Sequence, residues 1–152
     1  MMPQEPLSLF GSGRASEVVA AYPEINQWVI GGHSLGGVMA ARYASQNPDK
    51  VEGLALWAAY PAADNDLRKS GITVTSIYAT LDGLTTLEDI EASRNLLPLD
   101  TLWVEIEGGN HAQFGDYGFQ SGDLKANITL VEQQHIVIEG TLRLLDLVSD
   151  NK

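Results

Sequence analysis

Five consecutive residues, Gly32-His33-Ser34-Leu35-Gly36, carry the most legible chemistry in this sequence. An apolar run, Trp28-Val29-Ile30, precedes them, and a helix-forming run, Gly37-Val38-Met39-Ala40-Ala41-Arg42-Tyr43-Ala44, follows. Strand, sharp turn and helix with a serine at the apex hold a hydroxyl out at the carboxyl end of a strand. So tight a turn calls for almost no side chain two residues before and two residues after the serine. Gly32 and Gly36 meet that need, and Gly31 and Gly37 extend the small surface. Backbone N–H groups at the helix start lack intrahelical acceptors and suit a developing oxyanion. An ordinary glycine-rich turn is the alternative reading of the same five residues.

A hydroxyl is a poor nucleophile at neutral pH. It needs an imidazole to accept its proton and a carboxylate to orient that imidazole and stabilise its cation. The chain has three histidines. His33 adjoins the serine, and its side chain is expected to point away from the hydroxyl and to pack or hydrogen-bond under the turn. His135 falls in a helical pattern and reads as a surface residue. His111, in Glu107-Gly108-Gly109-Asn110-His111, follows an apolar strand pattern and enters a loop. Asp82, in Tyr78-Ala79-Thr80-Leu81-Asp82-Gly83, does the same after another strand pattern, although Asp-Gly also makes simple turns.

The elements that must position these residues alternate between strand and helix. Strands are expected over Gln27–Gly31, Val51–Ala59, Ile72–Thr80 and Thr101–Ile106. Helices are expected over Arg14–Tyr22, Ser34–Gln46 and Thr85–Leu96, and from Thr129 to about Val148. Thr85 or Thr86 caps the third helix, and Thr129-Leu130-Val131-Glu132 fits a capping box for the last. Ile136, Ile138, Leu142, Leu145 and Val148 give that last helix an apolar stripe. The near-continuous apolarity of Val51–Ala59 suits a parallel strand buried on both faces. The pattern predicts one α/β domain over 1–152, a mostly parallel sheet with flanking helices. In such sheets ligands bind at the carboxyl ends of the strands. Ser34, Asp82 and His111 each follow one of those ends.

Composition excludes several functions. The formal net charge of −11 disfavours nucleic acid and anionic membranes as partners. No cysteine is present, which removes disulfides, thiolate catalysis and cysteine-based zinc sites. No apolar run approaches the ~20 residues of a membrane span, and the first residues lack the pattern of a signal peptide, so a cytoplasmic location is expected. Asp64 and Asp66 do not fit a calcium loop and read as solvated. Phe114, Tyr117 and Phe119 crowd the loop after His111 and are expected to anchor it more than to wall a pocket.

The blocks Gly31-Gly32-His33-Ser34-Leu35-Gly36-Gly37, Ile77-Tyr78-Ala79-Thr80-Leu81-Asp82-Gly83 and Glu107-Gly108-Gly109-Asn110-His111-Ala112-Gln113-Phe114-Gly115 resemble the α/β-hydrolase superfamily. The likeness is to the bacterial branch grouped as alpha/beta hydrolase family 5, and the order Ser, Asp, His is that of the superfamily. The resemblance implies Ser34 as nucleophile, Asp82 as acid, His111 as base and the Leu35 N–H as one oxyanion donor. It further implies a small acyl substrate, cleaved as an ester or relative, with no metal or organic cofactor. In the superfamily this serine follows the fifth strand of an eight-stranded sheet, whereas here 33 residues precede it. The expectation is therefore a shortened domain holding the equivalents of strands five to eight. Gly11-Ser12-Gly13 is a poor source for the second oxyanion donor, and one lost donor costs ~10²–10³ in turnover. An impaired module, or one half of a split enzyme, is the alternative. An uncovered edge at Gln27–Gly31 is expected to favour homo-oligomers.

Overall fold

Among the described residues, segments rich in Val, Ile, Thr and Trp form four strands: β1 (Trp28–His33), β2 (Val51–Trp57), β3 (Thr73–Ala79) and β4 (Leu102–Ile106). The computed structural model describes residues 12–150. Residues 1–11, including Gly11, lie outside the described residues, and Ser12 and Gly13 belong to a helix. The helices are α1 (Ser12–Ala21), α2 (Leu35–Gln46), α3 (Leu87–Ser93) and α4 (Leu130–Asp150). All strand pairings are parallel, and spatial order follows chain order, β1-β2-β3-β4. β1 is thus an edge strand among the described residues, as the sequence suggests.

Alternation along the strands divides the core into two layers. Ile30, Leu54, Leu56, Val74 and Trp103 face a layer formed by α1, α2 and the segment holding Leu67 and Leu97. Val29, Ala55, Trp57, Ile77 and Val104 face α4. β2 lies between two strands and beneath two helical layers. Its residues Leu54, Ala55 and Leu56 are at most 3% exposed, which is why it reads as continuously apolar. The crossover from β2 to β3 holds no helix; fully buried Leu67 fills the space one would occupy.

Element limits differ from the expected ones in informative ways. β1 runs on through Gly32 and His33, because both pair with β2, at Leu56 and Trp57. β2 ends at Trp57, where Ala58 takes a positive φ of 45° and turns the chain. The third helix is shorter: Thr86 is the cap, in a capping box with Asp89, and the last turn tightens to a 3₁₀ helix over Arg94–Leu96. The Thr129–Glu132 capping box forms as expected.

The apolar stripe of α4 is a correction. The buried face is Gln133, Val137, Gly140, Leu144 and Val148, while Ile138, Leu142 and Leu145 are 54%, 54% and 42% exposed. Ile136 packs at the margin of the core. The cause is close approach: a Cβ on Gly140 would lie 2.8 Å from Ile77 Cδ1. A glycine and a glutamine therefore take inward positions that hydrophobicity does not mark.

Candidate active site

Ser34 sits between β1 and α2 with φ 53° and ψ −125°, a conformation that non-glycine residues adopt only when their surroundings impose it. The imposition is visible. Its N–H donates to the Trp57 carbonyl at 2.9 Å, and its own carbonyl accepts from Gly37 and Val38 at 2.9 and 3.2 Å. A Cβ on Gly32 would stand 2.4 Å from the Gly36 carbonyl carbon, so the position two residues before the serine must be glycine. The position after it is a correction. A Cβ on Gly36 would meet nothing within 4 Å among the described residues, whereas one on Gly37 would stand 2.4 Å from Ala59 Cβ and 2.8 Å from the Gly32 carbonyl oxygen. A cavity of about 330 Å³, bordered by Ile30, Gly36, Met39 and Tyr43, explains the room at Gly36. Gly37→Ala is expected to lower stability by about 1–3 kcal/mol and Gly36→Ala to change it little. Paired thermal melts check this, and equal losses would refute the steric assignment.

Asp82 and His111 meet as the strand-end positions require. Asp82 Oδ2 lies 2.8 Å from His111 Nδ1, and the residues are 5% and 2% exposed. The other oxygen, Oδ1, accepts from the Leu84 and Thr85 N–H groups at 2.8 and 2.6 Å. These bonds fix the carboxylate's orientation. The Thr85 hydroxyl donates to the Ala58 carbonyl at 3.0 Å and ties the Asp82 turn to the end of β2. A proton on Nδ1 facing Asp82 leaves Nε2 as the basic nitrogen. Ser34 follows β1 on the same side of the sheet, but its Oγ makes no hydrogen bond to His111 among the described residues. Leu35 opens α2, so its N–H has no acceptor within the helix, and its side chain is 48% exposed.

His33 does not pack under the turn as expected. Its ring centroid lies 4.5 Å from that of His111, and Phe114 and Tyr117 stack with it at 5.6 and 5.4 Å. Its buried Nε2 has no hydrogen-bond partner among the described residues. Burial, then the neighbouring His111, push its pKa from the ordinary 6.5 down to about 4, against the pull of Asp82 and Asp123. Between those values the unfolded chain holds a proton that the folded chain does not. Stability therefore falls as pH drops from 6.5 toward 4. His33→Phe keeps a ring against His111 without the titration. It is expected to flatten the dependence of the urea midpoint on pH in that window, and equal slopes in the two proteins would count against it.

The loop after His111 is held by residues that the sequence did not mark. Gln133, fully buried on α4, accepts from the Asn110 N–H at 3.0 Å and donates to its carbonyl at 2.7 Å. Gln133→Leu orphans both groups, at about 1–3 kcal/mol each. A drop in the urea midpoint checks this, and an unchanged midpoint would refute it. Asp123, also buried, accepts hydrogen bonds from three separate backbone segments. Of the three loop aromatics, Phe114 anchors in the core, Tyr117 covers His33, and Phe119 is 88% exposed. Phe119 borders a cavity of about 530 Å³ behind the loop, together with Asn110, Ala112, Asp123, Leu124 and Lys125. That cavity is not lined by Ser34, Asp82 or His111.

The remaining candidates are surface features. His135 is exposed beside Glu139. Asp66 pairs with Arg68 on the surface, and the exposed Asp64 binds only Asn65. Among the described residues no cluster of His, Asp or Glu is arranged to hold a metal ion, and no helix is long and apolar enough to cross a membrane.

The same architecture recurs in solved structures. A structure from a study of carboxylesterases of the thaumarchaeon Nitrososphaera gargenis superposes with a TM-score of 0.68 at 13% identity, covering 95% of this chain and 74% of that one. A predicted CIB-like hydrolase from Thermoplasma acidophilum gives 0.63 at 17% identity, covering 97% and 65%. The Paleococcus ferrophilus monoacylglycerol lipase gives 0.64 at 15% identity, covering 88% and 74%. The chain thus spans about two thirds to three quarters of these proteins' lengths. A search of curated protein sequences found no match. The model of the alpha/beta hydrolase family matches residues 1–135. With the parallel strand order and that match over most of its length, the chain belongs to the alpha/beta hydrolase family, in the branch grouped as family 5.

Proposed function

We propose that this protein is a serine hydrolase that cleaves an ester or related small acyl substrate through an acyl-enzyme. The observation that carries the reading is the buried Asp82–His111 pair, which stands past the ends of β3 and β4 while a strained serine stands past the end of β1. The esterase and lipase names among its structural neighbours agree with it.

In the proposed reaction Ser34 Oγ attacks the acyl carbon while His111 Nε2 takes its proton. Asp82 holds the imidazole and balances the cation that forms. The Leu35 N–H donates to the oxyanion of the tetrahedral intermediate. As that intermediate collapses, the bond to the leaving alcohol breaks and His111 protonates it. Water then attacks the acyl-serine with His111 again as base, releasing the carboxylic acid and restoring Ser34. The residues assigned to these steps carry them without a metal or organic cofactor.

A fluorophosphonate probe tests the reading directly. It is expected to add one phosphonyl group, which peptide mapping places on Ser34. An adduct that persists in Ser34→Ala would overturn the assignment.

A further inference from the structure

One buried carboxylate beside the site has no role in the reaction as described. Asp123 is 8% exposed and makes no salt bridge among the described residues. Backbone dipoles surround it instead. Its Oδ1 accepts from the N–H groups of Gly83 at 3.1 Å, His111 at 3.2 Å and Leu124 at 3.0 Å, and Oδ2 accepts from Ala112 at 2.9 Å. Gly83 directly follows the acid Asp82. One oxygen therefore joins the turn that carries the acid to the residue that carries the base. The seating is close: a Cβ on Gly83 would lie 2.1 Å from the Gly122 carbonyl oxygen and 3.0 Å from Asp123 Cα.

We infer that Asp123 is a positioning residue for hydrolysis: it sets the spacing of the Asp82 and His111 turns, and its charge favours the imidazolium that forms on His111. The inference rests on the Ser34–Asp82–His111 reading. Its geometric half follows from the shared Oδ1. The Asp82–His111 bond is made between two loops on different strands, and displacements of about an ångström at a reacting group cost ~10²-fold in rate. Its electrostatic half follows from burial, which weakens solvent screening of a carboxylate hydrogen-bonded to the His111 backbone. Among the described residues, the ionisable groups recorded against His111 are Asp82 from the turn after β3 and His33 from the end of β1, both at its ring, and Asp123 from the long loop, at its backbone N–H. Asp116 and Lys125 border the cavity behind Asp123. The influence of Asp123 already reaches the His33 ring, whose pKa it raises against the effect of burial.

Two substitutions separate spacing from charge. Asp123→Asn retains an oxygen for Gly83, His111 and Leu124, removes the charge, and turns an amide group toward the Ala112 N–H. Asp123→Ala removes both. With 4-nitrophenyl acetate as the probe substrate, Asp123→Ala is expected to lower kcat about 10²-fold while KM stays within about threefold. Asp123→Asn is expected to recover kcat to within about tenfold of the parent on the alkaline plateau. It is also expected to shift the acid limb of the pH–rate profile to lower pH, since loss of a nearby negative charge disfavours the imidazolium. Circular dichroism and thermal melts establish that each variant is folded. A folded Asp123→Ala with the parent kcat overturns the spacing role, and an unmoved acid limb in Asp123→Asn overturns the charge role. Should the alanine variant not fold, the asparagine profile and plateau rate decide alone. Failure of the triad reading is a separate result, seen in the parent protein as the absence of a fluorophosphonate adduct on Ser34.

Discussion

Ser34→Ala is expected to lose hydrolysis of 4-nitrophenyl acetate almost completely, by about 10⁴–10⁶ in kcat, with the fold retained. The size follows from covalent chemistry. In the proposed reaction, loss of Oγ removes the acyl-enzyme and leaves only the Leu35 N–H and the binding surface to stabilise the oxyanion. Stability is expected to hold or rise slightly, because alanine occupies the same backbone conformation and Ser34 makes no side-chain hydrogen bond as the α2 cap. Burst kinetics supply a second check. The parent releases nitrophenol in a stoichiometric burst if deacylation is slow, and the variant shows none. Residual activity within tenfold of the parent would remove Ser34 from the mechanism.

His111→Ala is expected to cost a similar factor, and Asp82→Asn about 10⁴. The asparagine variant keeps the shape of the turn but presents the wrong hydrogen-bonding pattern to Nδ1, so the ring loses its tautomer. His135→Ala serves as the control. That ring is 70% exposed beside Glu139, turned to solvent, and its loss is expected to leave the rate unchanged. The parent rate is expected to fall on the acid side, where a protonated imidazole cannot accept the serine proton. If His111→Ala and His135→Ala behave alike, the base has been misassigned.

Much of this site was legible before the fold. The parallel strands announced themselves because strands covered on both faces are apolar along their length, as Leu54-Ala55-Leu56 shows. Ser34, Asp82 and His111 were legible as candidates because each follows an expected strand, and ligands gather where strands end. The capping boxes at Thr86 and Thr129 were legible because their bonds span three residues of one segment.

What stayed hidden depends on residues distant in sequence. The role of Gly37 lies in the approach of Ala59, and that of Gly140 in the approach of Ile77. The inner face of α4 follows from how closely the helix lies on the sheet, so Gln133 and Gly140 face inward while Ile138 and Leu142 face out. His33 was expected under the turn, but β1 runs two residues further and carries its ring onto His111. Asp123 left no trace in the sequence, since its partners are backbone N–H groups that every residue but proline supplies. The kinds of strand and helix, their order and the candidate side chains past the strand ends could be read from the chain alone. Residue type, period and spacing express local preferences, and those preferences were sufficient for that much. It took the fold to show which groups bring Asp82 and His111 together, because contacts between distant backbone atoms have no side-chain code.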